Sequence, residues 1–150
     1  MPYYPPSSSG SSIGYVLRAS TNIDGANNLS DSTTYYIGTS QAGNFSTTTS
    51  RAATRLYIPK AGTIKTAYGA ITISGTLSSG EDSTVAIRLN DTSNTNISTT
   101  VETSATSNAF SNNGLSIAVA AGDYIDILFI TPVFATDPGG ATLSCSVYIE

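Results

Sequence analysis

Gly114-Leu115-Ser116-Ile117-Ala118-Val119-Ala120-Ala121-Gly122-Asp123-Tyr124-Ile125-Asp126-Ile127-Leu128-Phe129-Ile130-Thr131 is the stretch that decides the fold. Leu115, Ile117 and Val119 alternate with Ser116, Ala118 and Ala120, the two-residue period of a half-buried strand. Ala121-Gly122-Asp123 breaks the pattern with small turn residues, and Gly122 is placed to supply a positive φ. A second run follows at once, with Ile125, Ile127 and Phe129 on one face and Tyr124, Asp126, Leu128 and Ile130 on the other. Being apolar on both faces towards its end, it reads as a central strand covered by a further layer. Strand, tight turn and central strand together form a unit of an antiparallel β-domain.

The same alternation recurs on both sides of this unit. Ile13 to Ala19 is a first strand, Thr33 to Gly38 a short one carrying Tyr35 and Tyr36, and Leu56 and Ile58 alternate with Arg55 and Tyr57. Pro59-Lys60-Ala61-Gly62 turns the chain into a long strand over 63–74, with Ala67, Gly69, Ile71 and Ile73 on one face. Val85, Ile87 and Leu89 point inward from the next, and Asn90-Asp91 opens a turn. Asn96 to Thr103 is a polar edge strand, Ser104 to Asn113 a loop around Phe110, Thr131 to Gly140 a surface connection, and Ala141 to Ile149 closes the sheet. The segment 40–54 is polar and loop-like, though its threonines tolerate an edge strand. Some eight or nine short strands with no helix predict an all-β, two-sheet antiparallel β-sandwich of jelly-roll type. An immunoglobulin-like sandwich ranks second, because the chain has no Trp and no cysteine pair. The expected core is Val85, Ile87, Leu89, Ile117, Ile125, Ile127, Phe129 and Val147.

A chain of 150 residues fits one domain, taken here as 13–150. Residues 1–12 hold Pro2, Pro5, Pro6 and a Ser/Gly run, which reads as an extended N-terminal arm. Tyr3, Tyr4, Pro5 and Pro6 are its candidate partner-binding residues, since tyrosine offers large contact area at low entropic cost. The arm lacks the basic and apolar regions of a signal peptide, so Met1 is taken as an intact start of translation in a cytoplasm.

Ten acidic and six scattered basic residues give a net charge of −4, which offers nucleic acid no basic patch. No apolar run approaches the ~20 residues of a membrane-spanning helix. Cys145 is alone and shares a face with Leu143, Val147 and Ile149, so it reads as a buried small hydrophobe. There is no histidine, which removes the usual triads, most zinc sites and the commonest general base. Carboxylates remain. Asp126, with Glu102 or Glu81 as a partner that spacing does not place, is the candidate for polysaccharide hydrolysis. The bland alternative has Asp123 capping its turn and Asp126 hydrogen-bonded or solvated. Glu81, Asp82 and Asp91 with loop carbonyls form a weak calcium candidate, and no ligand spacing supports it. Tyr35, Tyr36, Tyr57 and Tyr68 are candidates for stacking on sugars or for covering core edges. The expectation is a non-enzyme without cofactor or metal.

Three strings add a resemblance: Leu56-Tyr57-Ile58-Pro59-Lys60-Ala61-Gly62-Thr63-Ile64, Val85-Ala86-Ile87-Arg88-Leu89-Asn90-Asp91 and Val119-Ala120-Ala121-Gly122-Asp123-Tyr124-Ile125. Over 55–149 the chain resembles the β-sandwich domains of bacteriophage virion proteins, both head-decoration proteins and fibre tips. Collagen-like bacterial surface proteins and tumour-necrosis-factor-like trimers present similar strings. The resemblance implies a virion structural protein on the outer capsid surface, a decoration or cement protein that forms homotrimers and binds the major capsid protein. Its alternative is a receptor-binding module of a tail fibre or baseplate, gripping host surface glycans with the loops at 104–113 and 131–140.

Overall fold

The computed structural model describes residues 13–23, 28–38, 45–46 and 53–150. The arm, with Tyr3, Tyr4, Pro5 and Pro6, lies outside the described residues. Those residues form an all-β sandwich of two antiparallel sheets, with no helix among them.

The first sheet orders β1 (Tyr15–Ile23), β11 (Ala141–Ile149), β5 (Gly62–Ile73) and β8 (Ser107–Asn112), with β9 (Ile117–Val119) also pairing β5. The second orders β3 (Phe45–Ser46), β2 (Thr34–Ile37), β10 (Tyr124–Ile130), β6 (Asp82–Leu89) and β7 (Ser93–Glu102), with β4 (Leu56–Tyr57) pairing β10. Sequence neighbours repeatedly fall in opposite sheets, as in β4 to β5, β7 to β8 and β10 to β11. That crossing traffic gives a jelly-roll-like arrangement, in which one face of β10 shares a single core with β5 and β11.

Alternation explains the core. From β11, Leu143, Cys145, Val147 and Ile149 point inward and meet Ala67, Ile71 and Ile73 of β5. From the other sheet, Val85, Ile87, Ile125, Ile127 and Phe129 face them, each at most 1% exposed. Of the expected core residues, Leu89 and Ile117 are only partly buried and pack at its margin. The reason is position: Leu89 ends β6 beside the turn, and Ile117 begins the three-residue β9. β10 is covered on its other face as well, where Leu128 is buried with Tyr36 and Ala86 and with Ile130 beside them.

Turns fall where small or amide residues tolerate the left-handed region. Gly122 takes φ +91°, and Asn90 and Asp91 take φ +47° and +56° between β6 and β7. Thr92 N donates to Leu89 O at 2.9 Å to close that turn.

Two segments depart from expectation. Residues 107–112 form strand β8 rather than loop, because Phe110 enters the core directly opposite Gly69 of β5. A side chain at Gly69 would overlap the Ser144 carbonyl oxygen and meet the Phe110 ring, so glycine there makes the space the ring occupies. The connection 131–140 is not a free surface loop either. Phe134 and Pro138 to Gly140 are buried, Leu29 N donates to Pro138 O at 2.9 Å, and Gly139 N donates to Thr76 O at 2.7 Å.

Candidate functional site

The largest gathering of charged groups sits on the outer face of the second sheet, where β10 changes partner. Tyr124 and Ile125 pair with β4, and from Ile127 onward the same edge pairs with β2. Asp126 falls between, directly opposite Arg88 of β6. Gly38 lets residues 53 and 54 cross close to the end of β2, since a Cβ there would lie 2.8 Å from the Ala53 carbonyl oxygen. Thr54 thereby reaches the strand, and its hydroxyl donates to Asp126 Oδ1 at 3.1 Å.

Around this contact the charges interlock. Arg55 stacks its guanidinium 4.0 Å above the Tyr124 ring and lies 3.1 Å from Asp91 Oδ2. Tyr124 Oη donates to that same oxygen at 2.8 Å. Arg88 donates to the Asp91 carbonyl and to Tyr36 Oη, each at 2.8 Å, with its Nε 3.8 Å from Asp91 Oδ1. The network ties the segment leading into β4, the β6–β7 turn and β10 into one unit.

Asp126 is fully buried, and its Oδ2 has no hydrogen-bond partner among the described residues. Burial holds its carboxyl protonated to higher pH than an ordinary aspartate; the Thr54 hydrogen bond works against this, Asp91 adds to it, and Arg55 and Arg88 oppose it. Asp123 goes the other way. Its Oδ2 accepts from Ala120 N at 2.7 Å and its Oδ1 from Asn90 Nδ2 at 2.9 Å, and these bonds, Ala120 first, hold its carboxyl below the usual range. Asp123 therefore caps its turn, as the bland reading has it.

The expected partners of Asp126 are elsewhere. Glu102 pairs with Asp82 at the far end of β6, six residues from Arg88, which is about 20 Å along a strand. Glu81 lies in the loop before β6 and accepts from Ala135 N at 2.9 Å and Ser79 N at 3.1 Å, which lowers its pKa, the Ala135 bond foremost. Neither Glu102 nor Glu81 is thus placed beside Asp126 as the second carboxylate of glycoside hydrolysis. The calcium candidate is likewise dispersed: Glu81 and Asp82 lie at the start of β6 and Asp91 beyond its end. No group of three or more potential metal ligands occurs among the described residues.

Tyr35 and Tyr36 are 3% and 4% exposed and so are not sugar platforms. Tyr35 packs against Phe129 and accepts from Ser30 N at 2.8 Å, while Tyr36 accepts from Arg88. Tyr57 and Tyr68 are the exposed ones, at 54% and 47%. Cys145 is buried, and burial pushes its thiol up to about 12. The Thr54–Asp126 and Arg55–Tyr124–Asp91 contacts were not legible in the sequence, because they join residues separated by as many as 72 positions.

Neither a protein-family model, nor a curated protein, nor a solved structure matches this chain, so what it does is argued from its own residues.

Proposed function

We propose that this chain is a non-enzymatic structural protein of a tailed-bacteriophage virion, a decoration or cement protein that forms homotrimers on the outer surface of the capsid. The observation that carries the reading is where its charges go. Asp91, Asp123, Asp126 and Glu81 are all engaged in bracing turns and strands of the body itself. Such a body is a stiff block for neighbours to pack on. The resemblance over 55–149 supports the same reading, with the arm of Tyr3, Tyr4, Pro5 and Pro6 adding contact to the major capsid protein. Prolines in such an arm lower the ordering entropy of docking.

Exposed Tyr57, 5.9 Å from Tyr124 and beside Arg55, favours one second reading, a receptor-binding module for host glycans. One experiment separates the two. Purified protein is added to heads that lack it, and to host cells before infection. The cement reading expects saturable binding to heads and a higher rupture temperature, with adsorption unchanged. Blocked adsorption without head binding would replace it by the receptor reading.

A further inference from the structure

We infer that Asn113 is a site of self-modification: its carboxamide is attacked by the backbone nitrogen of Gly114, and Asn112 slows the attack by holding that nitrogen. Among the asparagines of the chain, Asn113 is the one followed by glycine. The inference stands apart from the structural role proposed above and does not depend on it.

Placement in the fold is what makes the pair reactive. Asn113 and Gly114 are both exposed, in the connection from β8 to β9. They lie between the last β5–β8 pair, Ala67 with Asn112, and the first β5–β9 pair, Ile64 with Ile117. Asn22, Asn94, Asn96 and Asn108, by contrast, lie inside strands, where pairing holds the backbone extended and residues with side chains follow. A Cβ on Gly114 would meet nothing closer than Asn112 Oδ1 at 3.6 Å, so the space beside residue 114 is open. One contact restrains the site. Gly114 N donates to Asn112 Oδ1 at 2.9 Å, while Asn112 Nδ2 donates to Asn96 O at 3.3 Å. The amide proton that has to leave before the nitrogen attacks is therefore engaged.

The chemistry needs only water. Gly114 N gives up its proton and bonds to Asn113 Cγ; the carboxamide C–N bond breaks, and its nitrogen leaves as ammonia. Water then opens the cyclic imide at either carbonyl, which gives aspartate or isoaspartate at position 113. Either product adds one negative charge to a net −4, in a stretch, 103–122, that holds no charged side chain. Isoaspartate also lengthens the backbone by one carbon between two fixed points. Asn112 is held by its pairing and by Asn96, and buried Leu115 donates its N–H to Lys65 O at 3.2 Å. The added length strains this short span, so the modified chain is less stable.

The test incubates the folded full chain for weeks below its melting transition in heavy-oxygen water and maps the peptide spanning 112–115 by mass. Wild type should show the gain from exchange of NH2 for OH, with one heavy oxygen, and become a substrate for an isoaspartyl methyltransferase. Gly114→Ala, whose Cβ has room, should react about tenfold more slowly, and Asn112→Ala about threefold faster. Aged wild type should melt below fresh protein, whereas Asn113→Asp, with the same charge and no added carbon, should melt like fresh protein. If the folded chain keeps its mass while the chain in urea gains it, the fold locks the loop and the inference falls. Gly114→Ala reacting as fast as wild type would show direct hydrolysis of the side chain and overturn the attack by residue 114. An Asn112→Ala no faster than wild type would overturn the restraint assigned to Asn112.

Discussion

Replacing Ile127 by Ala probes the centre of the sandwich. Ile127 is 0% exposed and lies between Ile37 of β2 and Ile87 of β6, at the middle of the strand that the second sheet is built on. The substitution removes three carbon atoms at about 0.8 kcal/mol each, or about 2.4 kcal/mol of lost burial. The unfilled space adds to this, and the flanking strands cannot collapse into it because each is held in register on its own far side, so the total falls at about 2–5 kcal/mol. For a domain of this size each kcal/mol lowers Tm by about 2–4 °C, so a drop of about 4–20 °C is expected. Urea melts followed by far-ultraviolet circular dichroism measure it, with an unchanged m-value showing that the same surface unfolds. Val133→Ala, at a position 67% exposed, is the control and should shift stability by no more than about 0.5 kcal/mol. If Ile127→Ala costs no more than Val133→Ala, Ile127 is not in a packed two-sheet core and the fold is misassigned.

Asp126→Asn tests the buried carboxyl. A raised native pKa means that its contribution is fully present below the ordinary aspartate range and is lost as pH rises through the native value. The variant should therefore gain on wild type in urea melts as pH goes from about 3 to 7, and a pH-independent difference would refute the assignment. Asp123→Ala should lower Tm at neutral pH and matter progressively less as pH falls through the depressed native pKa, because its bonds to Ala120 N and Asn90 need the ionised form. Gly69→Ala should destabilise by about 1–3 kcal/mol. Trimming the neighbour with Phe110→Leu should not restore it, since the Ser144 carbonyl is backbone; full rescue would show that only the ring is in the way. Deleting residues 2–10 should leave the melting of the sandwich unchanged and weaken head attachment. Full occupancy of heads by the truncated chain would show that the arm anchors nothing.

The alternation in 114–131 and its echoes determined the fold class without help. A strand covered on one side must place apolar residues every second position, and the two-sided apolar end of β10 announces a second layer. Cys145 and the Gly122 turn were legible for the same local reason. Other features depended on partners distant in sequence. Phe110 looked like a loop residue among Ser, Asn and Ala because the vacancy it fills is made by Gly69, forty-one positions earlier. For Tyr35 and Tyr36 the choice between stacking on sugars and covering core edges stayed open, because nothing in four residues of β2 says that both faces will be covered. Strand alternation set Asp126 on the face away from the core, and only the tertiary structure buried it there, by carrying Thr54 and Arg55 across the gap where β10 passes from β4 to β2. Periodicity is written in each strand's own residues; which strand lies beside it, and whose charge comes to rest against whose, is decided by the crossings between the sheets.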